Sequence, residues 1–481
     1  MLDELVAERR KKLAKIRETA DPFPAAVART HTLASAREAI AGGTAPAAFT
    51  VAGRCLAIRD QGGITFLDLE DGTGKLQAVL QEEDLGADRL RAFRETVDIG
   101  DFLSLEGSAL VTKRGEPSVR VASCTLVGKS LRPVPTTWYG LSDTELKLRK
   151  RYLDLLANPD ERELFRRKSM FWRAIREGLT EGGFLEVETS VLEAVPGGAD
   201  AEPFVTHHNA LDQDFFLRIS LELPLKKLLV GGYEKVFEIG RVFRNEGIDR
   251  DHLQDYTQME CYAAYWDERR MMAFVEALYE RAAKTAWGEA TTRYGDTTLS
   301  WKGPWPQVDY VSAFREVTGI DPVTADRATL AAHAEKLKLP VEKSLGRGRL
   351  IDLIYKKTIR PTLIQPCFLV GHPLVISPLA KESPSRPGTA LRFQVLAAGT
   401  EVGNGWAELN DPDEQRKRFE EQMALREAGD LEAQRIDEDF IEALEYGMPP
   451  AAGFGLSERL FAIMAGRPIR ETVFFPPMRS E

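Results

Sequence analysis

The chain has 481 residues, 43% of them hydrophobic and 29% charged, and a formal net charge of −10. That length exceeds one ordinary core, so two or three soluble domains are expected, and the acidic total excludes bulk nucleic-acid binding while leaving room for local patches. No apolar run approaches the roughly 20 residues of a membrane span, nothing resembles a signal segment, and the four cysteines are scattered without a metal-type pair. A reduced, cytoplasmic, zinc-free protein with no membrane partner is the expectation.

Asp3 to Thr19 places Leu5, Val6, Leu13 and Ile16 at helical spacing, with Arg9, Arg10, Lys11, Lys12, Lys15 and Arg17 on the other faces. The spacing predicts a basic helix, stopped by Asp21-Pro-Phe-Pro24, that serves either as a phosphate grip or as a solvated face. Residues 1–48 form this helix and its lead-in. From Phe49 to about residue 130, five short β segments alternate with turns at Gln61-Gly-Gly63, Asp71-Gly-Thr-Gly74 and Arg114-Gly-Glu-Pro117. This pattern predicts a five-stranded Greek-key barrel of the OB type, a scaffold that often takes single-stranded nucleic acid on one face. Arg59 and Phe66 are candidates for that face, although alternation alone leaves Phe66 free to be a core residue.

Residues 131–160 read as a proline-containing linker and a charged helical stretch, in which Ser142 and Glu145 have capping-box spacing. The rest, 161–481, opens with a helix over about Glu161 to Gly182 and a strand, FLEVETSVL. The segments after it lack strict β-α-β alternation and a P-loop, so an antiparallel sheet flanked by helices is expected, giving an α+β chain. Trp301 and Trp305 are expected to be packing residues. Lys235 to Tyr265 reads as two strands joined by a loop that carries Arg244, Asn245, Glu246, Asp249, Arg250, Asp251 and His252. Arg244 is suited to fork-like binding of phosphate or carboxylate. Further on, Glu401-Val-Gly-Asn-Gly-Trp-Ala-Glu408 concentrates carboxylates and glycines on a strand. With period two, Glu401 and Gly403 share one face and Glu408 takes the other, unless the glycines bulge the strand. Finally, Gly453-Phe-Gly-Leu-Ser-Glu-Arg459 runs into a helix whose N-terminus favours anions.

Taken together, GGFLEVETSVL, FRNEGIDRDHLQDYTQMECYAAY and GFGLSERLF resemble the three signature motifs of class II aminoacyl-tRNA synthetases. The ordered set RRKKLAKIRETADPFP, RKRYLDLLAN, PGGADAEPFVTHHNALD, VISPLAK, EVGNGWAELNDPDEQ and IRETVFFPPM resembles the bacterial lysyl-tRNA synthetase family over nearly the whole chain. The resemblance implies ATP-dependent activation of L-lysine, transfer to tRNA(Lys), a magnesium ion (Mg2+) bound with ATP, and a homodimer. It implies that Arg244 holds the substrate carboxylate and α-phosphate, and that Glu246 and His252 hold the nucleotide. Tyr256, usually Phe in the family, would stack on adenine with Arg459 on the other ring face, and Glu401 would ligate the metal. Gly198 and Glu260 would receive the α-ammonium group. Glu222, Tyr262 and Glu408 would surround the side-chain ammonium, with Asn404 and Trp406 completing the wall. In the barrel, Arg59, Phe66 and Glu116 match anticodon-reading positions.

The chain departs from the family at three places. Ser190 replaces the motif 1 proline. Gln394, at the second metal position with Glu401, supplies an amide where the family usually has a carboxylate. The stretch from Gly453 to Arg459, and the one from Arg459 to Arg470, are each one residue short, and a one-residue shift turns a helical side chain by roughly 100°. These departures admit alternatives to a working lysine–tRNA ligase: a paralogue acting on a non-tRNA acceptor, or a copy of the fold that binds without turnover.

Overall fold

The computed structural model describes residues 2–134, 143–247, 252–342, 345–430 and 433–479. The chain divides into two compact units, one of Met1–Asp143 with Tyr152–Ala157 and a second of Thr144–Arg151 with Asn158–Glu481. Ser142 and the loop residues Asp249, Arg250 and Asp251 lie outside the described residues.

In the first unit, strands Phe49–Gln61, Ile64–Glu70, Lys75–Gln81, Phe102–Val111 and Pro117–Gly128 close a five-stranded barrel. Its interior is filled by Val51, Leu67, Leu69, Leu76, Leu103, Leu105, Val119 and Val121. In Ile64–Glu70 the buried positions are Thr65, Leu67 and Leu69, so Phe66 and Asp68 fall on the outer face. The N-terminal helix, Leu2–Arg17, buries Leu13 but leaves Leu5 exposed. Much of its positive charge is matched within the unit: Lys12 pairs with Asp98, Lys15 with Glu95, and Arg9 donates to the Ser130 carbonyl.

The second unit is built on an eight-stranded sheet ordered Gln307–Asp309, Cys367–Val370, Arg392–Ala397, Thr400–Ala407, Ala451–Ser457, Asp255–Ala264, Lys235–Phe243, Leu185–Glu186. It is antiparallel except at its two edges, where the outermost strands pair in parallel. The sequence FLEVETSVL forms only two short strands, Leu185–Glu186 and Leu192–Glu193. The ladder stops because the Thr189 backbone N–H and hydroxyl both donate to Glu238, drawing the chain off the edge strand. The helix after the junction spans Pro159–Glu181 and buries Phe165, Phe171, Ile175 and Leu179.

Strand periodicity divides the residues of the sheet into two populations. Met259, Cys261, Ala263, Phe393, Val395, Ala452, Phe454 and Leu456 face a core shared with helices Pro159–Glu181 and Glu268–Trp287, where Trp301 and Trp305 also pack. The alternate residues face a cavity of about 770 Å³. Gly403 keeps the core side open: a Cβ there would lie 2.5 Å from the Tyr279 hydroxyl and 2.6 Å from Phe454. That hydroxyl donates to the Val402 carbonyl at 2.6 Å. Gly403→Ala is therefore expected to destabilise this unit by about 1–3 kcal/mol through overpacking, read as a lowered urea midpoint with unchanged slope.

Candidate active site

Register places the cavity residues in rows across the sheet. Gln394, Asn404, Gly455, Glu260 and Glu238 lie side by side, and Arg392, Trp406, Gly453, Tyr262 and Val236 form the next row. A β-bulge between Val395 and Leu396 sets Leu396 opposite Glu401 while Val395 opposes Gly403, leaving Val402 extra. The bulge reverses the simple alternation, so Glu401 turns toward Gln394 and Asn404 rather than sharing the face of Gly403.

At one end of the cavity is a cluster of buried charges. Glu222, the first residue of helix Glu222–Val230, is 2% exposed, Glu260 3%, Glu408 1% and Lys226 0%. Lys226 Nζ lies 2.9 Å from Glu222 and 2.6 Å from Glu408, whose second bonded partner is the Trp406 indole N–H at 2.9 Å. The other Glu408 oxygen, Oε1, has no hydrogen-bond partner within the protein. It sits against Gly453, where a Cβ would come within 2.2 Å of it. Glu260 is held by the Ser220 hydroxyl at 2.8 Å, the Leu221 backbone N–H at 3.0 Å, the Gln258 amide and the Tyr262 hydroxyl at 2.7 Å. Gly198 approaches this group with φ +80, and a Cβ on it would stand 3.0 Å from both Ser220 and Glu222.

Three carboxylates against one ammonium leave the cluster short of positive charge. Burial raises the carboxyls of Glu222 and Glu408 above the ordinary range against the pull of Lys226, whose own ammonium is kept charged by the two of them despite its burial. A further cation in this cluster would lower the cost of ionising the pair.

At the other end are Arg244, Glu246, His252, Tyr256, Glu401 and Arg459, all lining the same cavity. The Arg244 backbone N–H is fixed by the Gln254 carbonyl at 2.8 Å, its Nε donates to the Ile219 carbonyl at 3.3 Å, and its guanidinium lies 5.7 Å from the Tyr256 ring centre. Burial works against its charge, but Tyr256, Glu246, Glu260 and Glu401 outweigh this and hold it firmly ionised. Helix Glu458–Ala465 is capped by Ser457, whose hydroxyl accepts from the Arg459 N–H at 3.3 Å. In spite of the shortened motif, Arg459 comes near enough to act electrostatically on the Tyr256 phenol. Glu401 accepts from the Gln394 amide at 2.6 Å. Among the described residues no three His, Cys, Asp or Glu side chains are grouped for a metal ion. A single carboxylate such as Glu401 suits a hard, oxygen-seeking divalent cation.

In the barrel, Arg59 and Phe66 oppose each other in register, and Arg59 makes a two-pronged bond to Asp68 at 2.6 and 2.9 Å. Glu116 is placed apart from them by its ion pair with Arg37 at 3.1 Å.

Sequence reasoning missed several groups that build the site. Lys226 is the main omission, and its signal was the helical spacing of four from Glu222. Gln258 and Arg392 were legible as residues two before Glu260 and Gln394 on their strands; Arg392 donates to the Asn404 carbonyl oxygen at 3.1 Å. His372 had no local signal. It lies 5.0 Å from the Tyr310 ring, and burial, aided by the Arg392 charge, lowers its pKa to about 3, so it is neutral.

Residues 143–479 match the family of class II tRNA synthetases (D, K and N), and residues 49–127 match the OB-fold nucleic acid binding domain. A lysine–tRNA ligase of Moorella thermoacetica is 43% identical over 483 residues, covering 99% of this chain and 98% of its own. Enzymes of the same name from Roseiflexus castenholzii and Bacillus subtilis are 43% and 41% identical, each matched over 99% of this chain.

The raised Glu222 carboxyl gives a pH signature. A carboxyl that holds its proton more tightly when folded than unfolded makes stability fall as pH rises from the ordinary carboxylate range through the folded-state value. Unfolding free energies measured by denaturant titration at stepped pH should show this decline, and Glu222→Gln should flatten it.

Proposed function

We propose that this chain, which belongs to the class II tRNA synthetases and within them to the lysine–tRNA ligases, activates L-lysine with ATP and transfers the lysyl group to tRNA(Lys). The observation that carries the substrate assignment is the charge-deficient cluster of Glu222, Lys226 and Glu408, with a buried carboxylate oxygen left unbonded beside the cavity. A side-chain ammonium satisfies that oxygen and supplies the missing positive charge, whereas a neutral analogue does neither. Tyr262, Asn404 and Trp406 bound the same pocket, and Gly198 with Glu260 is the receptor for the α-ammonium group.

In the first step a lysine carboxylate oxygen bonds to the α-phosphorus while the bond to the pyrophosphate oxygen breaks. In the second, a terminal ribose hydroxyl of tRNA attacks the lysyl carbonyl carbon and AMP departs. No protein atom becomes bonded to substrate, so the residues act by orientation and charge. Arg244 balances the charge on the carboxylate and α-phosphate, Glu246 and His252 hold the nucleotide, and Tyr256 and Arg459 clasp the adenine. A magnesium ion held by Glu401 would supply charge neutralisation across the phosphates. The outer barrel face with Phe66 and Arg59, together with Glu116, is our assignment for the anticodon contact. A complete barrel favours tRNA over a non-tRNA acceptor. The four unpaired thiols suit a cytoplasmic setting.

Lysine-dependent ATP–pyrophosphate exchange tests the reading directly, and exchange driven by another amino acid in preference to lysine would refute it. Glu408→Gln is expected to lower kcat/KM for lysine by about 100-fold or more, because it removes one carboxylate from a buried charge cluster. Exposed Leu185, Val191 and Leu192 lie on the segment that carries motif 1, and exposed Val205 and Leu211 follow it in the chain. They support a homodimer, expected as a species of twice the chain mass in sedimentation velocity and reduced by Leu192→Glu.

A further inference from the structure

Gln394 is 7% exposed, and its amide is bonded at both ends. Nε2 donates to Glu401 Oε2 at 2.6 Å, and Oε1 accepts from the Tyr355 hydroxyl at 3.3 Å. Glu401 dictates this polarity, since an ionised carboxylate only accepts, and a reversed amide would set a carbonyl oxygen against it. The bulge that turns Glu401 into the cavity is what brings the two together. Fixed this way, the side chain offers Glu401 a donor and gives its own oxygen to Tyr355. Arg244, Arg360 and Arg392 line the same cavity and provide permanent positive charge for a polyphosphate.

We propose that Gln394 is a positioning residue that orients Glu401, and that Glu401 is the sole metal-bearing carboxylate of this pair. The nucleotide is then bound with one fewer protein-held divalent cation than a carboxylate at residue 394 would allow. The inference rests on the nucleotide-site reading above, in which Glu401 carries the metal.

The test counts manganese ions by electron paramagnetic resonance on the full-length protein with α,β-methylene-ATP, alongside fluorescence-detected nucleotide binding in the same samples. The unsubstituted protein should bind one manganese fewer per site than Gln394→Glu at equal free metal. Gln394→Ala should keep the unsubstituted count while its tightest manganese weakens about tenfold, the size of effect expected on losing a partner that orients a ligand. Tyr355→Phe should also keep the count, which secures the test should Gln394→Ala fold poorly by circular dichroism. Loss of a whole manganese in Gln394→Ala or Tyr355→Phe, or equal counts in the unsubstituted protein and Gln394→Glu, would overturn the proposal. Nucleotide bound with no manganese at all would overturn the metal role of Glu401 itself, and nucleotide not bound at all would overturn the nucleotide-site reading.

Discussion

The catalytic unit depends on keeping three carboxylates and one ammonium out of water. An isolated buried charge costs several kcal/mol, so Glu222, Glu260 and Glu408 survive only because the backbone and neighbouring side chains are arranged around them. Glu260 takes four donors, two from its own strand and two from the Ser220–Leu221 turn, which ties strand Asp255–Ala264 to that turn. Glu222 and Glu408 share Lys226, which joins helix Glu222–Val230 to the end of strand Thr400–Ala407. The charged group that lines the pocket also fixes the relative position of the elements that form it.

The sheet makes this possible by keeping its faces chemically distinct. The core face is apolar and close-packed, while the cavity face carries ionisable groups that the glycines at 453 and 455 leave accessible. Neither face tolerates exchange: a side chain at 403 meets Tyr279 and Phe454, and one at 453 meets Glu408 and Tyr262. One irregularity, the bulge at Val402, converts a residue that strict alternation assigns to the core side into a cavity residue. Glu401 owes its position to that single extra residue.

Much of this was legible in the chain. The barrel strands, the long helix Pro159–Glu181 and the hairpin followed from periodicity and turn residues, and alternation on DYTQMECYAA and AAGFGLS separates core from cavity. The face of Phe66 was undetermined until the burial of Thr65, Leu67 and Leu69 fixed it. Three things were not legible, for identifiable reasons. The short strands within FLEVETSVL depend on Glu238, some 50 residues away, capturing Thr189. Lys226 has helical spacing from Glu222, yet its burial comes from tertiary packing that the adjacent Lys227 does not share. The bulge that turns Glu401 is a property of strand pairing, which no local pattern reports.

The departures from the family pattern can be weighed against the geometry that absorbs them. Ser190 closes its turn by hydrogen bonding, accepting from the Leu192 N–H at 3.2 Å and donating to the Leu192 carbonyl at 2.9 Å, where a proline would restrict the chain through its fixed φ. The shortened approach to motif 3 still brings Arg459 to the cavity that Tyr256 lines, because the helix starts directly at the end of strand Ala451–Ser457 with Ser457 as its cap. In both places a local hydrogen bond fixes the chain. Gln394 differs in kind. Its amide fills the space of a carboxylate and bonds to both neighbours, but no rearrangement of hydrogen bonds restores the missing charge. On the proposed reading of the site, the amide at 394 removes one carboxylate from beside Glu401 and leaves the balance of charge there to the arginines that line the cavity.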